Sequence, residues 1–523
     1  MMINMKKIIY LLSLLLVLNS CASDFLDTKP QASADTGVIF ATTENAELAV
    51  NGICRMMVSQ YLSTQGMNGE GTIKSWYANF TSNDFQKCNQ TGWANLWNAT
   101  YFHERNTSIY LYYPWFYYYK LIGNANAIVL NVDDATGNEA DKQFIKAQGL
   151  TFRAYSYFML SQLYCKRWMD SNNGASRGLP LRLDLSTGDL AASTLGEVYT
   201  QIYADLDEAI KLYTASGKDR DKNDNYSPNL KVAYAVYARA ALTREDWTNA
   251  AKYAALAKEG YPLMSNSEYV DGGFNTPNSE WIWSCYSASD QTIYYYAFFA
   301  YQGSNSNAGV CRNYPCAISK ELVDQIPDTD IRKQMYLIPN SSEAKDFNTS
   351  TGKVTAKTNL EKRAKSTYGT KLYSTSLLFA YMQFKFQAAA LPGDGHINNF
   401  RSAEMYLTEA EAYCHIAGKE SEAQNLLVEL NKQRNPEYTC DKTGEDLLNE
   451  VKLYRRFELW GEGFGWFDYK RWKEPIVRKT FKDGGSFHAQ FAVTVNPEDG
   501  NNWCWVYPAK EIDYNGLIDS SIE

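Results

Sequence analysis

The chain has 523 residues, 45% of them hydrophobic, and a formal net charge of −8. A chain of this size and composition is globular and long enough to form two or three lobes around a large core. Its lysines and arginines are not clustered, which excludes the basic surface that a nucleic-acid partner requires.

The N-terminus has the pattern of an export signal. Lys6 and Lys7 are followed by an apolar run of eleven residues, too short for a bilayer span of about 20 residues but typical of a signal peptide. The run ends in Leu-Asn-Ser-Cys, which resembles a lipobox. We therefore expect a signal peptide over residues 1–20, lipidation of Cys21, and a tether over residues 21–38. The alternative is an ordinary secretory signal with an incidental cysteine.

Helical periodicity dominates much of the mature chain. Thr194 and Glu197 form a capping box that predicts a helix start. Residues 228–259 and 399–434 each alternate small and aromatic residues over about 34 residues, as tetratricopeptide repeats do. The fold class is therefore mostly α, with tetratricopeptide-like helical pairs as a scaffold. The single helices are predicted near residues 45–62, 115–132, 140–168, 194–213, 228–242, 247–259 and 444–472.

Two segments lack this periodicity. Residues 64–107 are punctuated by glycines and predict a long aromatic loop. Residues 270–395 predict an irregular lobe with a few short strands, at 281–286 and 381–386, and with a long loop over 340–376. A long loop of this kind inside a compact protein is usually functional or disordered.

Four segments together resemble the SusD/RagB lipoproteins, a family of surface glycan-binding partners of TonB-dependent transporters. The tail from Trp505 also fits the family's closing pattern, whereas Asn19, Gly465 and Tyr469 depart from its usual residues. The segments are Asp24-Phe-Leu-Asp27 and residues 146–168, 401–418 and 455–472.

The resemblance implies four tetratricopeptide-like pairs, with an N-terminal region over 39–269 and a C-terminal region over 270–523 that carries the irregular lobe. It implies no catalysis and no cofactor. It also implies an outer-membrane lipoprotein, exposed at the cell surface, that binds oligosaccharide or, in some members, peptide. The partner would be a SusC-like TonB-dependent β-barrel transporter, for which the protein acts as a lid. We predict no metal site, although the Asp/Asn-rich loops leave room for a structural calcium.

Aromatic residues of the two irregular segments are the candidate ligand contacts. Tyrosine and tryptophan offer a flat apolar face with a polar edge, which suits stacking on a pyranose ring. The alternative is that these rings pack the loops onto the helices. The candidates are Trp76, Trp93, Trp97, Tyr101, Tyr294, Tyr295, Tyr296 and Tyr301, with Asn79, Asn83, Asp84 and Asn95 available for sugar hydroxyls.

Glu458 and Glu462 offer a different interpretation, a glycoside hydrolase. Four residues apart on a helix, their Cβ atoms lie about 6 Å apart, near the separation that retaining hydrolysis needs. The neighbouring charges Arg455, Arg456 and Asp468 favour a salt-bridged structural face instead. We therefore expect no catalytic residue. A third interpretation is a module that docks only protein.

Overall fold

The structure is a computed structural model that describes residues 36–62, 66–97, 105–288 and 297–518. Cys21, the predicted signal peptide and most of the predicted tether lie outside the described residues. Within the described part, no helix combines the length and the apolar character that a membrane span needs.

Helices form most of the described fold. Eleven helices in the described ranges have eight or more residues: α1 (Thr43–Met56), α2 (Ile109–Asn131), α3 (Glu139–Tyr164), α4 (Leu195–Ser216), α5 (Leu230–Thr243), α6 (Trp247–Lys258), α7 (Asn359–Tyr368), α8 (Ser402–Cys414), α9 (Glu420–Arg434), α10 (Gly444–Glu458) and α11 (Gly465–Trp472). Shorter α-helical segments are Thr36–Ile39, Gly69–Thr72, Asn266–Val270, Phe298–Gln302, Gly309–Arg312, Lys320–Val323 and Ala509–Tyr514. Asp499–Trp503 contains a left-handed turn.

The strands are short, and in the described ranges they form four two-stranded antiparallel sheets. The pair β1–β5 joins the N-terminal region to the C-terminal region, and one hydrophobic core extends through both. The strands are β1 (Phe85–Lys87), β2 (Arg177–Pro180), β3 (Ala192–Thr194), β4 (Trp281–Cys285), β5 (Cys316–Ile318), β6 (Ile397–Arg401), β7 (Ile476–Arg478) and β8 (Val493–Val495), paired as β1–β5, β2–β3, β4–β6 and β7–β8.

The scaffold consists of helices that pack against their neighbours in the chain, which confirms the predicted mostly helical fold class. In the pair α5–α6, Ala240 and Ala254 are fully buried, so the two backbones approach closely. The rings of Tyr237 and Tyr253 stack at 3.9 Å between the helices. The second predicted pair is α8–α9, and α8 packs against α6.

Side-chain caps set the start of several helices. The predicted capping box is confirmed, since Thr194 accepts from the Glu197 amide and the Glu197 carboxylate accepts in return. The Thr358 side chain accepts from the Glu361 amide and caps the start of α7. Because α7 lies inside residues 340–376, the long loop predicted there is wrong in part. The helix escaped prediction because only three of its ten residues are buried.

The predicted loop over residues 64–107 is wrong in its first part, which is helical. Gly69–Thr72 forms one α-helical turn, and Ile73–Asn79 continues it as a π-helix. Gly69 has a φ of +45°, and a Cβ atom there would lie 1.9 Å from the carbonyl oxygen of Met57. This glycine therefore permits close packing against the end of α1 and does not mark a loop.

The helix predicted over residues 444–472 is two helices, α10 and α11, separated by a turn. Gly461 and Gly463 have φ values of +77° and +92°, which side chains rarely adopt. A Cβ atom at Gly463 would lie 2.6 Å from Cγ of Lys74. The two glycines therefore allow the backbone to turn between α10 and α11. The apolar periodicity of the sequence continues through this turn, which is why one helix was predicted.

The strand predicted over residues 381–386 is not formed, and only isolated bridges such as Met382–Ala317 occur there. The alternation of apolar and polar residues suggested one solvent-facing side. All six residues are in fact buried, and Lys385 donates to the Glu462 carboxylate at 2.7 Å. The polar side chains of this segment bond to groups inside the protein and do not face solvent.

Arg401 of β6 lies at the centre of a buried ion network. Its guanidinium donates to Glu280 at 2.6 Å, to Glu458 at 2.8 Å and to Glu462 at 2.7 Å. All four side chains are at most 6% exposed. The arginine thus joins β6 to the end of α10 and to the segment before β4.

Three further cations balance the network. Arg332 donates to Glu458 at 3.0 Å and to Asp330 at 2.6 Å. Burial raises the pKa of Glu458, but the surrounding cations, Arg434 foremost, lower it well below its ordinary value. Four cations therefore face four carboxylates, and these eight groups together have no formal net charge. The members beyond Arg401 and its three glutamates are Arg332, Asp330, Lys385 and Arg434.

We expect Gly463→Ala to destabilise the protein more than Gly484→Ala. Both glycines have a similar positive φ, +92° and +85°, so the conformational strain is matched. Only at Gly463 does the added Cβ meet a neighbour, and overpacking of this kind costs about 1–3 kcal/mol. Urea unfolding of both variants measures the difference. Equal free energies of unfolding would contradict the close packing of this turn.

We expect Arg401→Met to lower the free energy of unfolding by about 3–5 kcal/mol, because three buried carboxylates lose their shared cation. Chemical denaturation measures the loss. The control is Lys365→Met, which removes a cation whose side chain is 60% exposed beside Glu361 and should change stability little. An Arg401 variant as stable as the Lys365 variant would show that the network contributes nothing.

Candidate functional site

Four of the predicted ligand-contact residues meet in one aromatic cluster. Trp76 contacts Trp93 edge to face at 5.5 Å between ring centroids and Tyr301 at 5.7 Å. Trp97 lies 6.5 Å from Trp93 in a stacked arrangement and 5.1 Å from Phe80. The two candidate groups, separated by some two hundred residues in sequence, are therefore neighbours in space. We call these five residues the Trp93 cluster.

Asn79 positions the π-helix that carries Trp76. Its amide nitrogen donates to Gln302 at 2.8 Å and to the Gly461 carbonyl at 2.7 Å, and its oxygen accepts from the Gly463 amide at 2.9 Å. The side chain that we predicted to bind sugar hydroxyls is thus saturated internally. π-helical segments often occur at functional sites, and here one turns Trp76 towards the other rings.

Burial separates the members of the Trp93 cluster into two classes. Trp76 is 0% exposed, Trp97 3% and Tyr301 1%, so these rings have no free face for a sugar. In this structure they pack the segment onto the core, which was the alternative to ligand stacking. Trp93 is only half-buried and lies at the edge of the cluster.

Four other predicted ligand contacts remain predictions. Their residues lie outside the described ranges, as does the side chain of Asn95, and no position is assigned to them. They are Tyr101, Tyr294, Tyr295 and Tyr296.

The backbone beside Trp93 is held from two sides. The Gln490 side chain accepts from the Thr91 amide at 2.9 Å and donates to the Thr91 carbonyl at 2.7 Å. Asn89 donates to the Asn313 carbonyl at 3.0 Å. The two Gln490 bonds resemble the pairing of a neighbouring strand. The backbone segment that carries Trp93 is therefore held in place.

Asn83 and Asp84, also predicted to bind hydroxyls, serve the scaffold. Arg456 donates to both carboxylate oxygens of Asp84 at 2.8 Å, and Trp460 donates to the Asp84 carbonyl at 2.8 Å. Asn83 accepts from the Val477 amide at 2.6 Å. These residues anchor β1 below the cluster and are engaged within the protein.

Arg478 is a positioning residue that the sequence analysis missed. Its guanidinium donates to the carbonyls of Phe80, Ser82 and Trp97 at 2.9–3.0 Å. Burial lowers the pKa of Arg478 to about 9. A single arginine in a three-residue strand has no distinguishing sequence pattern, so only the structure shows that it fixes the backbone around Trp97.

Glu458 and Glu462 do not have the properties of a hydrolytic pair. Both are buried in the Arg401 network, and although burial raises their pKa values, the neighbouring cations lower both below the ordinary value. Glycoside hydrolysis needs one carboxylic acid with a raised pKa beside the substrate. The geometry is that of structural ion pairs.

A metal site is also not evident. In the part of the chain that the structure describes, no three His, Cys, Asp or Glu side chains are arranged to hold a metal ion.

Comparison with solved structures shows the same fold in several proteins. A SusD-like carbohydrate binding protein from Bacteroides vulgatus is 24% identical, with a TM-score of 0.72 over 92% of this chain and 98% of that chain. A SusD superfamily protein from Bacteroides thetaiotaomicron is 21% identical, with a TM-score of 0.69 over 92% and 100%. Surface glycan-binding protein A from Bacteroides thetaiotaomicron, solved with laminarihexaose, is 16% identical, with a TM-score of 0.65 over 91% and 99%.

Family models cover nearly all of the chain. The SusD-like family described as "Starch-binding associating with outer membrane" matches residues 24–242, and the SusD family matches residues 246–516. No curated protein matches the chain. The second match alone spans more than half of the sequence, and it includes the Arg401 network and the turn beneath the Trp93 cluster. The chain belongs to the SusD/RagB family.

Proposed function

We propose that this protein is a glycan-binding lipoprotein of the outer-membrane surface, and that Trp93 contacts the oligosaccharide. The observation that carries the proposal is the half-buried indole of Trp93 at the edge of an otherwise buried aromatic cluster. Support also comes from the family's description as starch-binding and from the similar fold of a protein solved with laminarihexaose.

The surroundings of Trp93 suit a sugar ring. Trp76 and Trp97 contact the indole and hold its orientation, so little side-chain freedom is lost when a ligand contacts it. A pyranose presents an apolar ring face with hydroxyls at its edge, which an indole face complements. Tyr101 and the tyrosines at 294–296 remain proposed further contacts.

The proposed role is binding and delivery without catalysis. The lipidated Cys21 would tether the protein beside a SusC-like TonB-dependent β-barrel, and the protein would act as a lid that passes ligand to the transporter. Support for a non-catalytic role comes from Glu458 and Glu462, which are both committed to ion pairs.

We expect Trp93→Ala to weaken oligosaccharide binding about tenfold or more, since about 1.4 kcal/mol of stacking energy corresponds to a factor of ten in Kd. Calorimetric titration against a panel of neutral oligosaccharides, including laminarihexaose and maltohexaose, measures the change.

The matched control is Trp247→Ala. Trp247 is also half-buried, but it stacks on His415 at 3.9 Å on the helical scaffold, away from the cluster. The Trp247→Ala variant should bind oligosaccharide as the wild type does. Equal affinities for the two variants would remove Trp93 from the site. Binding of peptides by a protein that ignores every oligosaccharide would favour the peptide-binding alternative.

We expect Cys21→Ala to release the protein from the membrane fraction and to abolish uptake, while the purified protein still folds and binds ligand. The physical reason is that a shared membrane raises the effective concentration of lid and barrel. Fractionation, uptake assays and recovery of a β-barrel protein by affinity capture of the lipidated form provide the test. Normal uptake by the variant would contradict the proposed anchor.

A further inference from the structure

A wide cleft lies between α2, the loop over residues 181–190 and the C-terminal helix Ala509–Tyr514. Its volume is about 770 Å³, within the range of about 300–1,000 Å³ that small-molecule sites occupy. None of its lining residues belongs to the Trp93 cluster. It is therefore a separate feature of the surface, which the proposed function does not use.

One wall of the cleft is an aromatic face of α2. Tyr112, Phe116 and Tyr119 recur at intervals of four and three residues, which places them on the same side of the helix, and all three are half-buried. On the opposite side, Tyr514 is 84% exposed and Leu185 49%. Exposed aromatic and apolar side chains gathered around one depression indicate a binding surface.

The walls of the cleft are fixed to one another by hydrogen bonds. Asn515 accepts from the Leu190 amide at 3.1 Å and donates to the Leu190 carbonyl at 2.8 Å, as a neighbouring strand would. Tyr119 donates to the Pro180 carbonyl at 2.8 Å. At the floor, the Trp115 indole donates to Glu511 at 3.1 Å. The cleft is therefore formed before any ligand arrives.

The charges of the cleft favour an uncharged ligand. Three cations face two carboxylates, and several of these groups are already engaged. Glu511 accepts from Trp115, Lys510 lies 4.7 Å from the Tyr112 ring centroid, and Arg182 donates to Asp184 at 3.5 Å. A nearly balanced, internally paired set of charges offers little attraction to an acidic or basic partner. The charged lining residues are Lys120, Arg182, Lys510, Asp184 and Glu511.

We propose that this cleft is a second oligosaccharide-binding site that takes a neutral glycan, with sugar rings stacked on Phe116 and Tyr514. The inference rests on the proposed glycan-binding function and extends it to a second surface. The exposed Tyr514 ring combines an apolar face with a polar edge, which suits a sugar. Two sites on one rigid protein would hold a polysaccharide more tightly than either alone.

Gly123 allows the cleft to be filled without damage to the fold. It lies on α2 four residues beyond Tyr119 and lines the cleft, and a Cβ atom there meets nothing within 4 Å. Gly123→Trp should therefore fold, because glycine is also the weaker helix former. The matched control is Gly52→Trp on α1, an exposed glycine that is equally unobstructed and lies outside the cleft.

The experiment is calorimetric titration of the full chain with laminarihexaose, maltohexaose, xylohexaose and mannohexaose. We expect two binding equivalents for at least one hexasaccharide with the wild type and with Gly52→Trp. Gly123→Trp should retain one equivalent, with at least a tenfold loss of affinity for the corresponding polymer from lost avidity. Thermal unfolding of each variant checks the fold.

Three outcomes would overturn the second site. They are identical titrations for Gly123→Trp and Gly52→Trp, failure of all four hexasaccharides to bind, and binding of a peptide that Gly123→Trp abolishes while sugars are ignored. Failure of the Trp93 site has a different pattern. In that case Trp93→Ala binds as the wild type does, while Gly123→Trp still loses an equivalent.

Discussion

The balance of buried charge around Arg401 determines where the rest of the site can lie. Its guanidinium holds Glu458, at the end of α10, and Glu462, within the turn between α10 and α11. The backbone of that turn is bonded in both directions by Asn79, the last residue of the π-helix. That helix carries Trp76, on which the half-buried Trp93 packs. An ion network with no access to ligand thus sets the position of the proposed ligand contact.

This dependence gives a physical meaning to residues 455–472, one of the four segments that resemble the family. Its glutamates resemble a catalytic pair in spacing, yet a buried carboxylate that is surrounded by cations stays ionised and cannot supply a proton. Replacing a whole buried network by apolar residues is often neutral for stability, whereas removing one member is not. The network joins β6, α10 and the glycine turn, and Gly461 and Gly463 allow the close approach.

Much of the scaffold could be predicted from sequence because its signals are local. The capping box at Thr194 and the small residues of α5–α6 determine structure through neighbours in the chain. The predictions are wrong where contacts between residues distant in sequence determine the local structure. Gly69 permits a close approach to Met57, which looks the same in sequence as a loop glycine. The aromatic excess pointed to Trp93 and Tyr301 as members of two separate candidate groups. That both rings contact Trp76 depends on distant partners, which have no local pattern.

The two aromatic surfaces of the protein share one rigid element, α2. In its first turn Tyr110 packs on Trp76 of the Trp93 cluster at 5.4 Å, and two residues later Tyr112 lines the cleft. The Ala509 amide donates to the Asn106 carbonyl at 2.8 Å, which ties the other wall of the cleft to the segment before the same helix. The spacing between the surfaces is therefore set by a helix and not by a linker. The effective concentration at a second site depends on the stiffness of the connection between the two sites. A polymer that reaches both surfaces would therefore benefit from this fixed geometry.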